Sequence, residues 1–380
     1  MALTKYKLGD FIEICNERNT DLKYDIDDVR GVNNSKQFML TKADLNGRDL
    51  SKFQIVYPGD FVFNHRTSRN GAKFSIAYND GEKPVICTED YVVFRICDDC
   101  KNLLDAIWLY MFFNRPEFDR YVITNSWGSS TEFYNWRDLC DISFALPPIS
   151  IQKKYAKVYI SFLANQKNYE QSLNDIKLSC DAFYDRIKHE NLVEIRELIE
   201  INNKRNQDFT YGLESLRGIS DKCRFVSTTA NVEKEALDKY LIVDNETFAV
   251  NFMCLGNWGK FYLAYNDSGQ SYVVSPACSI LKIKNGVKLN PYYFLCLLQR
   301  SELQRKCVFI GDGNTRGGIN NDDFGTISIP MVSFEKQKII AELFQVYDAR
   351  KDINEKLKKQ IKDICPILIK GSVEEAKKKV

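Results

Sequence analysis

The chain has 380 residues, 44% of them hydrophobic, enough for two or three domains with substantial cores. Lys and Arg number 53 against 51 Asp and Glu, a formal charge of +2, which excludes a strongly cationic field; any contact with nucleic acid must come from local patches. The opening MALTKYKLGD lacks the basic and apolar runs of a secretory signal and no stretch approaches ~18 apolar residues, so the expected compartment is the cytoplasm.

Short strands are expected at Phe61-Val62-Phe63, Lys73 to Tyr78 and Tyr91 to Ile96, punctuated by the turns Pro58-Gly59-Asp60 and Asn79-Asp80-Gly81. A helix follows at about Leu103 to Asn114. The 12 cysteines scatter without paired spacing and are read as reduced; the single CxxC, Cys97 to Cys100, lacks a second pair, and with only His65 and His189 to help no metal site is expected. The turn Leu146-Pro147-Pro148 introduces a long helix, with Ser150 as candidate N-cap. In that helix Tyr155, Phe162, Tyr169, Ile176 and Phe183 recur at heptad spacing, and Tyr159, Gln166, Leu173, Cys180 and Ile187 fill the alternate seam. Such a pattern predicts that the helix winds against a second long helix.

The next segment repeats the first. Ile199-Glu200-Ile201-Asn202-Asn203-Lys204-Arg205-Asn206 matches Ile12 to Asn19 at a shift of 187, with six identities in eight positions. The same shift carries Tyr24 to Tyr211, Arg30-Gly31 to Arg217-Gly218, Phe61 to Phe248 and Asn64 to Asn251. It also aligns Asn70 to Asp80 with Asn257 to Asp267, where seven of eleven residues agree. Four widely spaced matches in one register indicate a duplicated domain. Strands are expected again at Thr247 to Phe252, Phe261 to Tyr265 and Ser279 to Ile283, and a helix at Pro291 to Gln299 capped by Asn290. A second turn, Ile329-Pro330, precedes a second long helix with Ser333 as candidate cap. Its seam is read as Ile339, Val346, Ile353 and Ile367 with Leu343, Leu357 and Ile364, interrupted by Arg350 and Gln360, and Pro366 ends or kinks it. The competing reading is that each long helix packs only on its own domain.

The fold class is therefore α/β, with two α+β heads in tandem: a first head over 1–149, a long helix over 150–190, a second head over 191–332, and a long helix with a tail over 333–380. Two heads, each followed by a Leu/Ile-Pro turn, a Gln-Lys stretch and a long helix, resemble the DNA specificity subunit of type I restriction-modification systems. Lys7-Leu8-Gly9-Asp10-Phe11-Ile12-Glu13-Ile14 is similar to that family's head start, whereas Glu194 to Glu200 in the second copy lacks the glycine. The resemblance implies that each head is a target recognition domain, and that the helices pair as an antiparallel coiled coil acting as a spacer and docking methyltransferase (modification) subunits, two of them expected. It implies a bipartite double-stranded DNA target, restriction motor-nuclease subunits as further partners in phage defence, and a chain without catalytic residues or bound cofactor, S-adenosylmethionine, ATP and Mg residing in the partners. A helix of about 35 residues spans roughly 50 Å, comparable to one to one and a half turns of duplex at about 34 Å each.

Base edges are read by polar side chains held on loops, and phosphates by Lys, Arg and backbone N–H groups. The first head offers Arg66, Ser68, Arg69, Asn70 and Lys73 on one loop and Asn125, Ser126 and Ser129 on another; the second offers Asn257 and Lys260, then Asn314, Arg316 and Asn320. Residues retained in both copies, Lys73 with Lys260 and Asn70 with Asn257, are expected to touch phosphate or hold the fold. Arg66, Arg69, Ser126, Asn314 and Arg316, which differ, are expected to read bases; the alternative for each is an ordinary solvated loop residue. Tyr78-Asn79-Asp80 and its twin are read as a turn.

Catalytic constellations are missing. Two histidines leave little imidazole for base catalysis, and the glycine run Gly311 to Gly318 lacks the ending of a phosphate-binding loop. Asn290-Pro291-Tyr292-Tyr293 is loosely similar to the Asn-Pro-Pro-Tyr of adenine methyltransferases, without the glycine-rich turn that should accompany it. The other readings are a coiled-coil scaffold or adaptor with protein-binding heads, and an enzyme with an unrecognised site.

Overall fold

The computed structural model describes residues 3–41, 44–45, 47–66, 73–126, 133–228, 230–253, 260–311 and 318–379. The chain forms two compact units, Met1–Glu170 with Asn354–Val380, and Gln171–Ile353, so each long helix is divided between them.

In the first unit a four-stranded antiparallel sheet runs Ile12–Cys15, Tyr91–Ile96, Phe61–Asn64, Ile76–Tyr78. Phe61 lies opposite both Phe94 and Tyr78. One face packs Phe61, Phe63, Phe74 and Phe94 against the helix Ala106–Phe113; the other buries Val62, Ala77 and Val93 with Cys15, Val56 and Cys87. Burial on both faces explains the unbroken apolar run Phe61-Val62-Phe63, where a half-exposed strand would alternate. The second unit repeats the order with Ile199–Ile201, Ser279–Ile283, Thr247–Asn251, Tyr262–Tyr265, and Phe248 lies opposite Leu281 and Tyr265. Its helix Pro291–Leu298 begins at Asn290, whose side chain accepts the Tyr292 and Tyr293 N–H groups.

Several polar residues retained at the repeat shift tie the backbone together, and the four asparagines among them are buried. Asn19 accepts the Tyr24 N–H at 3.1 Å and donates to the Tyr24 carbonyl at 2.8 Å; Asn206 does the same with Tyr211 at the same distances. Asn79 donates to the Val56 and Lys83 carbonyls, and Asn266 to those of Val243 and Gln270. Each holds its turn, as read from the sequence, and also ties it to a neighbouring strand. Arg30 and Arg217 each donate to the carbonyls three residues and one residue before them. A buried carbonyl or N–H without a partner costs ~1–3 kcal/mol, which is why a duplicated fold keeps these side chains when its surface diverges.

The first long helix runs Ile149–Ile187 and starts before Ser150, because the Pro148 carbonyl accepts the Ile151 and Gln152 N–H groups. Ser333 does cap the second, Phe334–Lys379, accepting the Lys336 N–H at 3.4 Å. Within the first unit the helices run antiparallel: Tyr155 lies against Gly371, where an added Cβ would stand 3.0 Å from the ring, Tyr159 shares the core with Ile361 and Cys365, and Gln166 donates to Asn354 at 3.0 Å. In the second unit Arg350 donates to Ser172 at 2.9 Å. The buried Gln166 and Asn354 side chains are the kind of polar pair that fixes register in a coiled coil.

The seam of the second helix lies one position later than the sequence suggests. Ile339, Val346 and Ile353 are 52%, 46% and 43% exposed and Ile367 also faces outward, while Ile340, Asn354, Ile361 and Leu368 are buried. The helix is apolar on two sides, and heptad spacing alone does not say which side meets protein. Leu343, Leu357 and Ile364 keep partly buried positions, and so do Tyr155, Phe162, Tyr169 and Ile176 of the first helix, whose Leu173 is buried. Pro366 does not end the second helix; it sits between the fully buried Cys365 and Leu368, whose packing into the first unit's core holds the backbone through the missing hydrogen bond. Cys97 and Cys100, read as reduced, are joined in a disulfide, and no described helix is long and apolar enough to cross a membrane.

Near its end the second helix is tied down by charge. Glu375 accepts from Lys154 at 2.7 Å and Lys379 at 3.0 Å, which holds its carboxyl at about 2 against an ordinary 4.5. A depressed folded-state value gives stability that is present above 4.5 and lost as pH falls toward about 2. Amide protection factors at the C-terminal end of this helix, taken relative to the intrinsic exchange rate at each pH, are expected to fall across that acid window in the parent and to show no such step in Glu375→Gln.

Candidate nucleic-acid interface

In each head the feet of two loops, one leaving the sheet and one following a helix, are joined. In the first head strand Phe61–Asn64 ends where Asn64 accepts the Arg66 N–H at 3.0 Å, and in the second Asn251 accepts the Met253 N–H at 3.0 Å. This explains why Asn64 and Asn251 are retained. Arg66 then forms a backbone bridge to Phe133, and Met253 forms the matching bridge to Gly318. The loop leaving the central strand is thereby joined at its foot to the loop that follows the second short helix, Pro116–Thr124 in one head and Ser301–Ile310 in the other.

The junctions are built differently. In the first, the Tyr134 N–H donates to the His65 carbonyl at 2.9 Å and the His65 ring stacks on Phe133 at 5.4 Å. Burial, then the nearby Arg66 charge, pushes the His65 imidazole down from its usual range, favouring its neutral form. In the second, a Cβ at Gly311 would come 2.5 Å from the Gly318 carbonyl oxygen, so the glycine run has a local reason: the two ends of a loop pass at backbone contact.

Of the proposed contact residues, Arg66 pairs with Asp90 at 3.0 Å and Lys73 and Lys260 are exposed at the far feet of their loops. Asn125 and Ser126 turn back onto the last turn of their helix, donating to Tyr121 and Val122 carbonyls at 2.7 and 2.8 Å. Asn320 caps the short helix Asn321–Gly325, accepting the Asp323 N–H at 2.8 Å. Ser68, Arg69, Asn70, Ser129, Asn257, Asn314 and Arg316 lie outside the described residues. Sequence reasoning passes over Lys362, which donates to Ser35 at 3.1 Å in the first unit; burial and then the like charge of Lys73 push its ammonium down, so a second cation stands near the loop foot. It also passes over Asp119 and Gln304, which hold those feet from behind: the Phe74 N–H donates to Asp119 at 3.0 Å and the Phe261 N–H to Gln304 at 3.1 Å.

Two copies of a sheet-and-helix head, each joining the feet of two loops and each followed by a long helix, define a duplicated two-head protein. Residues 191–363, which span the second head and much of the second long helix, match the model of the type I restriction modification DNA specificity domain, so the chain carries a domain of that family and the resemblance read from its sequence is borne out. The chain is similar in fold to the S subunit of a type I restriction-modification system from M. genitalium, with a TM-score of 0.60 at 12% identity over 98% of this chain and 96% of that one. The HsdS subunit from Thermoanaerobacter tengcongensis aligns over 98% of this chain and 96% of that one at 14% identity with a TM-score of 0.37. No curated protein sequence matches the chain.

Proposed function

We propose that the chain is the DNA sequence-specificity subunit of a type I restriction-modification complex, each head reading one half of a bipartite double-stranded target. The observation that carries this reading is the paired loop junction, Arg66 to Phe133 and Met253 to Gly318, built at equivalent points of two copies of one sheet. Loops held on a rigid sheet suit base readout, and two related heads suit two half-sites. The paired helices set the spacer and dock methyltransferase subunits. An apolar groove of about 270 Å³ in the second unit, with Phe183, Ile187, Ile339 and Ile340 among its walls, supports docking of a protein partner there. On this reading the chain is a non-catalytic cytoplasmic subunit, and S-adenosylmethionine, ATP and Mg are used by the methyltransferase and motor-nuclease partners.

Co-expression with a methyltransferase subunit and mapping of methylated adenines tests it. The expected result is a split motif with a constant gap, and grafting another family member's head in place of one head changes one half only. Methylation without sequence preference, or a change in both halves, overturns it.

A further inference from the structure

The two heads hold the same loop foot by different means. In the second, the buried Gln304 spans the gap alone: Oε1 accepts the Phe261 N–H at 3.1 Å and Nε2 donates to the Leu298 carbonyl at 3.0 Å. In the first, the helices Ala106–Phe113 and Pro116–Thr124 take the places of Pro291–Leu298 and Ser301–Ile310 at an offset of 185, two less than the shift that carries Phe74 to Phe261, so Phe74, Phe113 and Asp119 stand for Phe261, Leu298 and Gln304. Asp119 Oδ1 accepts the Phe74 N–H at 3.0 Å, but a carboxylate has no proton to give to the Phe113 carbonyl. Lys36 supplies the missing donor. Its Nζ donates to Asp119 Oδ1 and to the Phe113 carbonyl, both at 2.6 Å, and the residue is 4% exposed. At the repeat shift Lys36 corresponds to Cys223, and both have left-handed backbone, φ 62° and 57°, so the chain path is the same and only the side chain differs.

From this correspondence we infer that the Lys36–Asp119 pair and Gln304 are two forms of one positioning device, each fixing the foot of its head's first interface loop to the helix behind the sheet and so setting that head's half-site readout. The inference rests on the DNA-reading role proposed above. A buried ion pair that loses one partner leaves an uncompensated charge, and a buried N–H that loses its acceptor goes unpaired, so both forms are sensitive to single substitutions. Neither residue is placed to meet DNA itself; each acts through the Phe74 or Phe261 backbone.

The test uses the full chain in complex with its methyltransferase partner, with methylation rates on the parent target and on duplexes carrying single base changes in either half. Asp119→Ala is expected to lower the rate on the parent target by roughly tenfold and to reduce discrimination in the first half only. Gln304→Ala is expected to do the same in the second half only. The double variant Lys36→Cys with Asp119→Gln, which installs the second head's solution in the first, is expected to restore first-half discrimination to within about threefold of the parent. A general loss of fold would not be confined to one half, nor repaired by that double change. If Asp119→Ala does not fold, Gln304→Ala and the double variant decide the matter. A double variant no better than Asp119→Ala, or single variants that affect both halves equally, overturns the positioning device while leaving the split target standing. A parent complex with no split target overturns the DNA-reading role itself.

Discussion

Gln152→Ala is expected to destabilise the first unit by about 3 kcal/mol or more, a large effect for a residue with no charge and no apolar bulk. The Gln152 side chain is fully buried and satisfies three backbone groups at once: it accepts the Asp105 N–H at 2.9 Å and donates to the Leu103 and Pro147 carbonyls at 2.8 and 2.7 Å. Those contacts join the start of the first long helix to the loop ahead of the helix Ala106–Phe113. Truncation strands three buried polar groups, each worth ~1–3 kcal/mol, and leaves a void too small to be refilled without repacking. Gln337 repeats the arrangement in the second unit, accepting the Asn290 N–H and donating to the Lys288 and Val332 carbonyls, so Gln337→Ala is expected to cost the second unit a similar amount. Glutamate is not an adequate replacement, because it keeps the acceptor and loses both donors. Amide exchange over each unit is the measure; a loss below about 0.5 kcal/mol for Gln152→Ala would show that water or local rearrangement satisfies the backbone instead.

Phe61→Ala is expected to cost ~3–5 kcal/mol, the range for deleting a buried aromatic ring. Phe61 is fully buried and its ring lies 4.7 Å from Tyr78, 5.1 Å from Phe94 and 5.9 Å from Phe113, so it joins three strands and the helix behind them. Phe248 stands in the same place in the second unit, 4.6 Å from Tyr265 and 5.4 Å from Phe294. Each unit has its own core, so amide protection in the first unit's sheet is expected to fall in Phe61→Ala while protection in the second unit's sheet is kept, and the reverse is expected for Phe248→Ala. Equal loss in both sheets after either change would contradict the division into two cores.

Much of the architecture is legible in the order of residues. The strands around Phe61 and Phe248, the helix capped by Asn290 and the two long helices with their Pro-marked starts all follow from local signals: apolar runs, turn residues and heptad spacing. Ser150 reads as a cap only if the helix begins after it; a carbonyl at Pro148, which carries no sequence signal, opens the helix instead. Gln152 and Gln337 are visible only as part of a Gln-Lys stretch, since nothing in their sequence neighbourhood says that a carboxamide on the first turn of a helix is buried.

The chain's own sequence determined the duplication, the element order and the family resemblance, because a repeat at a shift of 187 and regular apolar spacing are properties of the one-dimensional string. Tertiary structure alone decided which stripe of the second long helix is buried, that Pro366 is carried inside it, and that Lys36 and Asp119 together do the work of Gln304. These outcomes depend on partners tens to hundreds of positions apart, and the energy of a buried hydrogen bond or charge pair is set by the groups that surround it rather than by its neighbours in the chain.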